Sequence, residues 1–364
     1  SGLPLRRAGL PGGRQTMKNY TIKLTAVTPF HVGSGVKYSK KEYYVNDRTN
    51  VVTLFDMNKI IEWIAGQGRN ECADAFERFM LSQDNDISAF MRDVLHMSQE
   101  EQKECIAYSM TCRGATGNAC NRDLWAFMRD AEGRPYVPGS SLKGALRTVL
   151  LVKMLRDRVM RIDTSSTDLK KTADSTEVSL LNRLNKIRPQ YNALNSIMSG
   201  FSVSDSLPFD KNKIMIAPKI DVNTDGEKTP LPLMRECAAP GTELLFSLTL
   251  SDEAERFIDV EYLKQAIAEF GGYYTDCYLS KYPKSLHENL DGCIFLGGGS
   301  GYYAKNIIYP LFAGDRQRAL EAISGSMSKA FKKHGHNKDV RLGISPHMLK
   351  CTYVDGRLRQ IGVC

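Results

Sequence analysis

The chain has 364 residues, a formal net charge of +8, 42% hydrophobic and 25% charged residues, a balance that excludes a disordered or fibrous protein. Its length points to two domains. No apolar run approaches the roughly 20 residues of a membrane-spanning helix, and nine cysteines without regular spacing or a signal peptide point to reduced thiols in the cytoplasm.

Residues 1–16 (SGLPLRRAGLPGGRQT) lack periodicity and read as an expression scar, whose three arginines leave +5 for the rest. Residues 20–28 (YTIKLTAVT) alternate at period two, as a half-buried strand does, and a glycine-rich turn follows at His31, Gly33, Ser34 and Gly35. Two more strands are expected at 42–46 and 51–55. From 56 to about 104 the spacing turns helical, with Ile60, Ile61 and Ile64 and then Phe76, Phe79 and Met80 on recurring faces, which reads as a helical insertion. Strands resume at 105–113 and 124–129, the latter turning back into 135–137.

Pro138, Gly139, Ser140 and Ser141 open the best helix pattern, running to about residue 161, with serine at the cap and Leu142, Leu146 and Val149 available for the core. Residues 162–178, dense in Ser, Thr, Asp and Lys, read as a mobile loop. A short helix is expected at 180–186, strands at 201–203 and 213–222, a polar excursion at 223–232, a strand at 243–250 and a helix at 260–270. The remainder reads as strand at 293–296, loop at 297–301, helix at 316–333 and strand at 348–354. Both halves mix strands with a few helices without strict alternation, so the fold class is α+β in two related modules, 17–200 and 201–364.

The helix start at 138–147 offers unpaired N–H groups and a positive dipole end, with Lys143 and Arg147 one turn apart, which suits a phosphate; an ordinary capped helix with a solvated basic face fits equally. The loop Gly297, Gly298, Gly299, Ser300 and Gly301, followed by Tyr302, Tyr303 and Lys305, lets backbone approach a ligand beside aromatic faces and a cation, or is a strained turn between strands. It lacks the strand–turn–helix context of a dinucleotide site, and no Gly-Lys-Ser or Gly-Lys-Thr occurs for a Walker loop. His31, followed by Lys37, Lys40 and Lys41, could act in acid-base cleavage of RNA or serve as a structural or RNA-contacting group. Cys105, Cys112 and Cys120, and His334 and His336, match no zinc spacing and read as free thiols and exposed loop histidines; Asp84 and Asp86 lack the glycine and distal glutamate of a calcium loop. No metal or cofactor is expected.

Together the blocks TPFHVGSG, YVPGSSLKGALRTVL, LGGGSGYYAKN and GISPHMLKCTY resemble the RAMP superfamily of CRISPR-associated proteins, and most of all the subunit that caps the crRNA 3′ end in type III-A (Csm) effector complexes. The resemblance covers residues 17–364. It implies two ferredoxin-like, RRM-related modules, the first carrying the helical insertion, that bind crRNA beside other RAMP subunits in an antiviral ribonucleoprotein and take part in crRNA maturation. Its RNA-facing blocks fall on His31, Gly33, Ser34 and Gly35, on Ser140, Ser141 and Lys143, and on the loop from Gly297 to Gly301. Residues 31–41 contain no acid where the target-cutting subunit of such complexes carries an aspartate, so target cleavage is not expected.

Three functions follow. The first is a non-catalytic crRNA-binding subunit, with Lys37, Arg147, Tyr302 and Lys305 added to the contacts above. The second is a metal-independent endoribonuclease using His31. The third is a purely architectural subunit, with maturation left to a recruited host nuclease. Charge favours the first, because residues 31–41, 139–161 and 325–350 carry +3, +5 and +5 and leave the rest of the chain negative.

Overall fold

The computed structural model describes residues 17–46, 48–112, 123–157, 168–302, 305–312 and 314–364. The expectations for residues 1–16 and 158–167, Cys120 and Tyr303 lie outside them. The elements, in chain order, are β1 (Met17–Thr25), β2 (Gly33–Tyr38), β3 (Tyr43–Asn46), β4 (Val51–Phe55), α1 (Met57–Gly66), α2 (Asn70–Leu81), α3 (Ile87–Ala89), α4 (Gln99–Glu104), β5 (Ile106–Thr111) and β6 (Asp123–Phe127). There follow α5 (Gly139–Asp157), α6 (Leu169–Leu181), β7 (Phe201–Val203), β8 (Ile214–Val222), β9 (Lys228–Ala238), β10 (Glu243–Ser251), α7 (Asp252–Glu255) and α8 (Val260–Cys277). The last are α9 (Ile308–Leu311), α10 (Arg316–Ala330), α11 (Asp339–Leu342), β11 (Leu349–Val354) and β12 (Arg357–Gln360).

These make a mixed α+β fold of three sheets, ordered β1-β10-β7, β12-β11-β8-β9-β6-β2 and β3-β4-β5. Pairing is antiparallel except between β6 and β9. The first two sheets draw strands from both sides of residue 200: β1 pairs along its full length with β10, from Met17 opposite Ser251 to Thr25 opposite Glu243. Alternation in β10 places Leu244, Phe246, Leu248 and Leu250 in the main core, and α5 packs on β7 of the same sheet and on α8. Residues 362–364 close the fold against residues far upstream. Gly362 N–H donates to the Pro29 carbonyl at 2.8 Å, Val363 N–H to Thr28 Oγ1 at 2.9 Å, and Cys364 N–H to the Ile294 carbonyl at 3.0 Å.

Helices α1–α4 sit between β4 and β5 around a core of their own, centred on Ile60, Ile64, Phe79, Ile87, Phe90 and Met91. Ser98 and Glu101 form a capping box on α4, and Glu101 also accepts Trp63 Nε1–H at 2.9 Å, tying α4 to α1. Lys41 fastens this unit from outside: its ammonium donates to the carbonyls of Phe79, Ser82 and Asp84, where the negative end of α2 favours a cation, and lies 4.5 Å from the Phe79 ring. The described cysteines are free thiols.

Six expectations are corrected. Residues 33–38 form strand β2 rather than a turn, with a bulge in which Gly35 takes φ +87°. Residues 169–178 belong to α6, which Asp168 caps through Lys171 N–H at 3.0 Å; no helix spans 180–186, because α6 ends at Leu181. Residues 228–232 open strand β9, and β12 follows the turn after β11. Residues 293–296 make only isolated ladder bonds, such as Leu296 N–H to the Gly362 carbonyl at 2.8 Å. Helix α8 runs on to Cys277, because Phe270, Gly271 and Tyr274 keep its buried stripe going.

Candidate nucleic-acid interface

Two of the three blocks meet. His31 forms a bridge with Gly298, whose N–H donates to the His31 carbonyl at 2.6 Å. Gly297 has φ +79°, and a Cβ there would stand 2.1 Å from the same carbonyl oxygen, so the approach requires glycine. A Cβ on Gly33 would come 2.9 Å from His31 Nε2. His31 is 5% exposed and its Nδ1–H donates to the Glu236 carbonyl at 2.7 Å, which leaves Nε2 as an acceptor. Burial lowers its pKa to about 4, against the opposing Glu236 bond and with help from Arg235 and Lys305. At neutral pH this imidazole is uncharged: it has no proton to give as a general acid and is too weak a base for efficient proton abstraction.

The sheet below holds a charge arrangement absent from the sequence motifs. Glu236, fully buried on β9, accepts Tyr108 Oη–H at 2.7 Å, Phe127 N–H at 2.8 Å and Arg129 at 3.1 Å, so its charge is matched. Its neighbour Arg235 points to the opposite face of the strand. A Cβ on Gly299 would lie 3.1 Å from the Arg235 Nη1, and that Nη1 is buried without a hydrogen-bond partner. Lys305, Lys219 and Lys350 share its field. Desolvation, then Arg235, lowers the Lys305 pKa, while desolvation, then Lys350 and Arg235, lowers that of Lys219. The Asp221 carboxylate faces three of these four cations, accepting Lys350 at 2.6 Å, standing 4.0 Å from Lys219 and attracting Arg235. The glycine loop therefore lies over a surplus of positive charge, as a phosphate-bearing ligand requires.

The third block is engaged elsewhere. Helix α5 begins at Gly139, whose N–H donates to Asp205 Oδ1 at 2.8 Å, so a carboxylate from the segment after β7, rather than a serine cap, meets the positive helix end. Ser140 and Ser141 lie inside the first turn. Arg147 pairs with Glu177, and Lys153 pairs with Asp157 at 2.8 Å and Glu269 at 3.0 Å. Lys143 is half-buried, and desolvation lowers its pKa. Arg156 also reaches Glu269, at 3.4 Å, so three of the four cations described in this stretch are paired within the fold.

The remaining candidates divide similarly. Lys37 pairs with Asp123 at 2.8 Å. Ser34 stands in the β2 bulge, its Oγ accepting Val36 N–H at 3.3 Å. Ser300 is buried within the loop, and Tyr302 packs partly into the main core, burial pushing its phenol up to about 12. Lys329 in the last turn of α10, and Lys332, Lys333 and Lys338 after it, are exposed. Only His334 there is an exposed histidine. His336 is buried and shares Asp339 with His347: the two Nδ1 atoms lie 2.9 and 2.5 Å from separate carboxylate oxygens, and Ser345 Oγ–H adds a bond at 2.5 Å. Two ligand atoms on a tetrahedral zinc ion stand about 3.3 Å apart, so these are hydrogen-bond separations and the cluster is a carboxylate clamp. Burial pushes the Asp339 pKa up, but the bonds from His347, Ser345 and His336 outweigh it and hold it low.

Comparison with known proteins bears on the family and the fold. A family model described as the RAMP superfamily matches residues 23–269. The CRISPR system Cms protein Csm5 of Mycobacterium tuberculosis is 27% identical, covering 96% of this chain and 97% of that protein. The protein of the same name from Streptococcus thermophilus is 29% identical over 80% of each. Among solved structures, a chain of a Csm–crRNA–target RNA ternary complex from a type III-A CRISPR-Cas system superposes with a TM-score of 0.68 at 19% identity, over 94% of this chain and 98% of that one. The crystal structure of T. onnurineus Csm5 gives 0.62 at 18%, over 94% and 99%.

Proposed function

The chain belongs to the RAMP superfamily, and from that premise we propose that it is a crRNA-binding subunit of a type III-A CRISPR ribonucleoprotein that caps the crRNA 3′ end and supports crRNA maturation. The observation that carries this reading is the union of His31 with the glycine loop above Arg235, Lys219, Lys305 and Lys350, with one buried guanidinium nitrogen unpartnered. Backbone N–H groups and glycines admit phosphates, and the cations supply the salt-dependent attraction. The partners are crRNA and neighbouring Csm subunits, in the cytoplasm; among the described residues no helix is long and apolar enough to cross a membrane.

The architecture reads as two ferredoxin-like modules, 17–200 and 201–364, the first interrupted by α1–α4. They interlock through the pairing of β1 with β10. The subunit is non-catalytic, and trimming falls to a recruited host nuclease. Highly pure protein is expected to leave repeat RNA intact in EDTA, as seen by denaturing gel. Cleavage that disappears in His31→Ala would revive the nuclease alternative.

The binding site is tested by replacing Arg235 and Lys305 with alanine and measuring crRNA retention in the assembled complex against salt. Retention should fall at least about tenfold, and the slope of log affinity against log salt should shrink by about 0.7 for each phosphate left without its cation. Unchanged retention with an unchanged slope would sink the assignment.

A further inference from the structure

Outside the glycine loop, the same sheet displays an aromatic side chain with no role in the core. Trp125 is 38% exposed although β6 is an interior strand, flanked by β2 and β9. Its cross-strand partners are Lys37 on β2 and Arg235 on β9, so the three side chains form one row on one face of the sheet. Lys37 is balanced by Asp123, two residues before Trp125 on that face, whereas Arg235 beside the indole shares Asp221 with Lys219 and Lys350 and keeps its Nη1 without a hydrogen-bond partner. Arg235 is also the cation that the glycine loop touches at Gly299. The row therefore continues the charged surface outward from the loop and ends at the open edge of β2.

We propose that Trp125 is a base-stacking platform for single-stranded RNA, receiving the base of a nucleotide whose phosphate lies toward Arg235 and the glycine loop. This rests on the RNA-binding reading above and adds a stacking subsite to it. An indole offers a π-face to any base, so the contact adds affinity without sequence preference. The excess of cations over carboxylates beside it favours a polyanion over an apolar protein partner.

The test uses the full chain and a short fluorescein-labelled oligouridylate, with affinity read by anisotropy. Trp125→Ala should weaken binding about tenfold or more, Trp125→Phe should keep most of the affinity, and both should remain folded at the assay temperature because the residue lies outside the core clusters. Trp63, bonded to Glu101 in the helical insertion, is the other tryptophan of the chain. In a Trp63→Phe background the emission of Trp125 alone should be quenched on adding the RNA. Equal affinities of parent and Trp125→Ala overturn the stacking role while leaving the RNA site intact. If Trp125→Ala instead impairs only assembly with other subunits, the face is a protein contact and the proposal fails. Failure of the parent chain itself to bind the oligouridylate would overturn the functional reading along with it.

Discussion

The glycine loop and the start of α5 present the same invitation in sequence: small residues, backbone donors and a following cation. In the fold they diverge. The helix start receives the Asp205 carboxylate and its arginine receives Glu177, whereas the loop lies over Arg235, Lys219, Lys305 and Lys350, three of which share the Asp221 carboxylate. A phosphate would displace an internal partner at the first and would supply a missing one at the second. Net charge along a stretch therefore says little until the partners from distant segments are known. The cations that matter, Arg235, Lys219 and Lys305, lie outside all three basic stretches, and only Lys350 lies within one.

Substitutions can break this contrast, beginning with the largest effect. Gly297→Ala drives a Cβ against the His31 carbonyl at a left-handed φ and should cost about 3 kcal/mol or more of stability in denaturant titration. Gly144→Ala, inside α5 with open space around it, should instead stabilise by about 0.5–1 kcal/mol. Protonation tests the loop side by another route. His31 titrates near 4 in the fold and near 6.5 unfolded, so the unfolded chain takes up the proton first. Stability is complete above about 6.5 and should decline as pH falls toward 4, by about 3 kcal/mol, in a limb that His31→Asn flattens. Asp205→Ala removes the partner of the helix start and should cost about 1 kcal/mol, read from the unfolding midpoint. Arg147→Ala, at an exposed pair, should change stability by less than about 0.5 kcal/mol and leave RNA affinity within about twofold. A large loss of RNA affinity in that variant would reverse the assignment of the two regions.

Much of the strand set was legible because period-two alternation survives in β1, β3, β4 and β10. The misses have identifiable causes. Helix α6 is rich in threonine and serine, yet Thr172 and Thr176 are buried because their hydroxyls donate to carbonyls four residues back, at 3.1 and 2.8 Å. Strand β9 is disguised by Pro230 and Pro232, which are tolerated because, among the described residues, β6 pairs only with residues 233–235. Glycines hide β2 in the same way. Of the site, the His31 and glycine-loop blocks were readable from backbone chemistry. Arg235 was not, because adjacent Arg235 and Glu236 look like a solvated pair until strand β9 sends one side chain into the core and the other to the loop.

The pairing of residues 362–364 with Thr28, Pro29 and Ile294 has a consequence for synthesis. Strand β1 must wait for β10, more than 200 residues later, and the segments carrying His31 and the glycine loop gain their last backbone partners only when residues 362–364 have left the ribosome. At elongation rates of about 5–20 residues per second that delay is roughly ten seconds or more. A chain released before residue 362 lacks the closing bonds beside both blocks, so completion of the candidate site is coupled to translation of this distant segment.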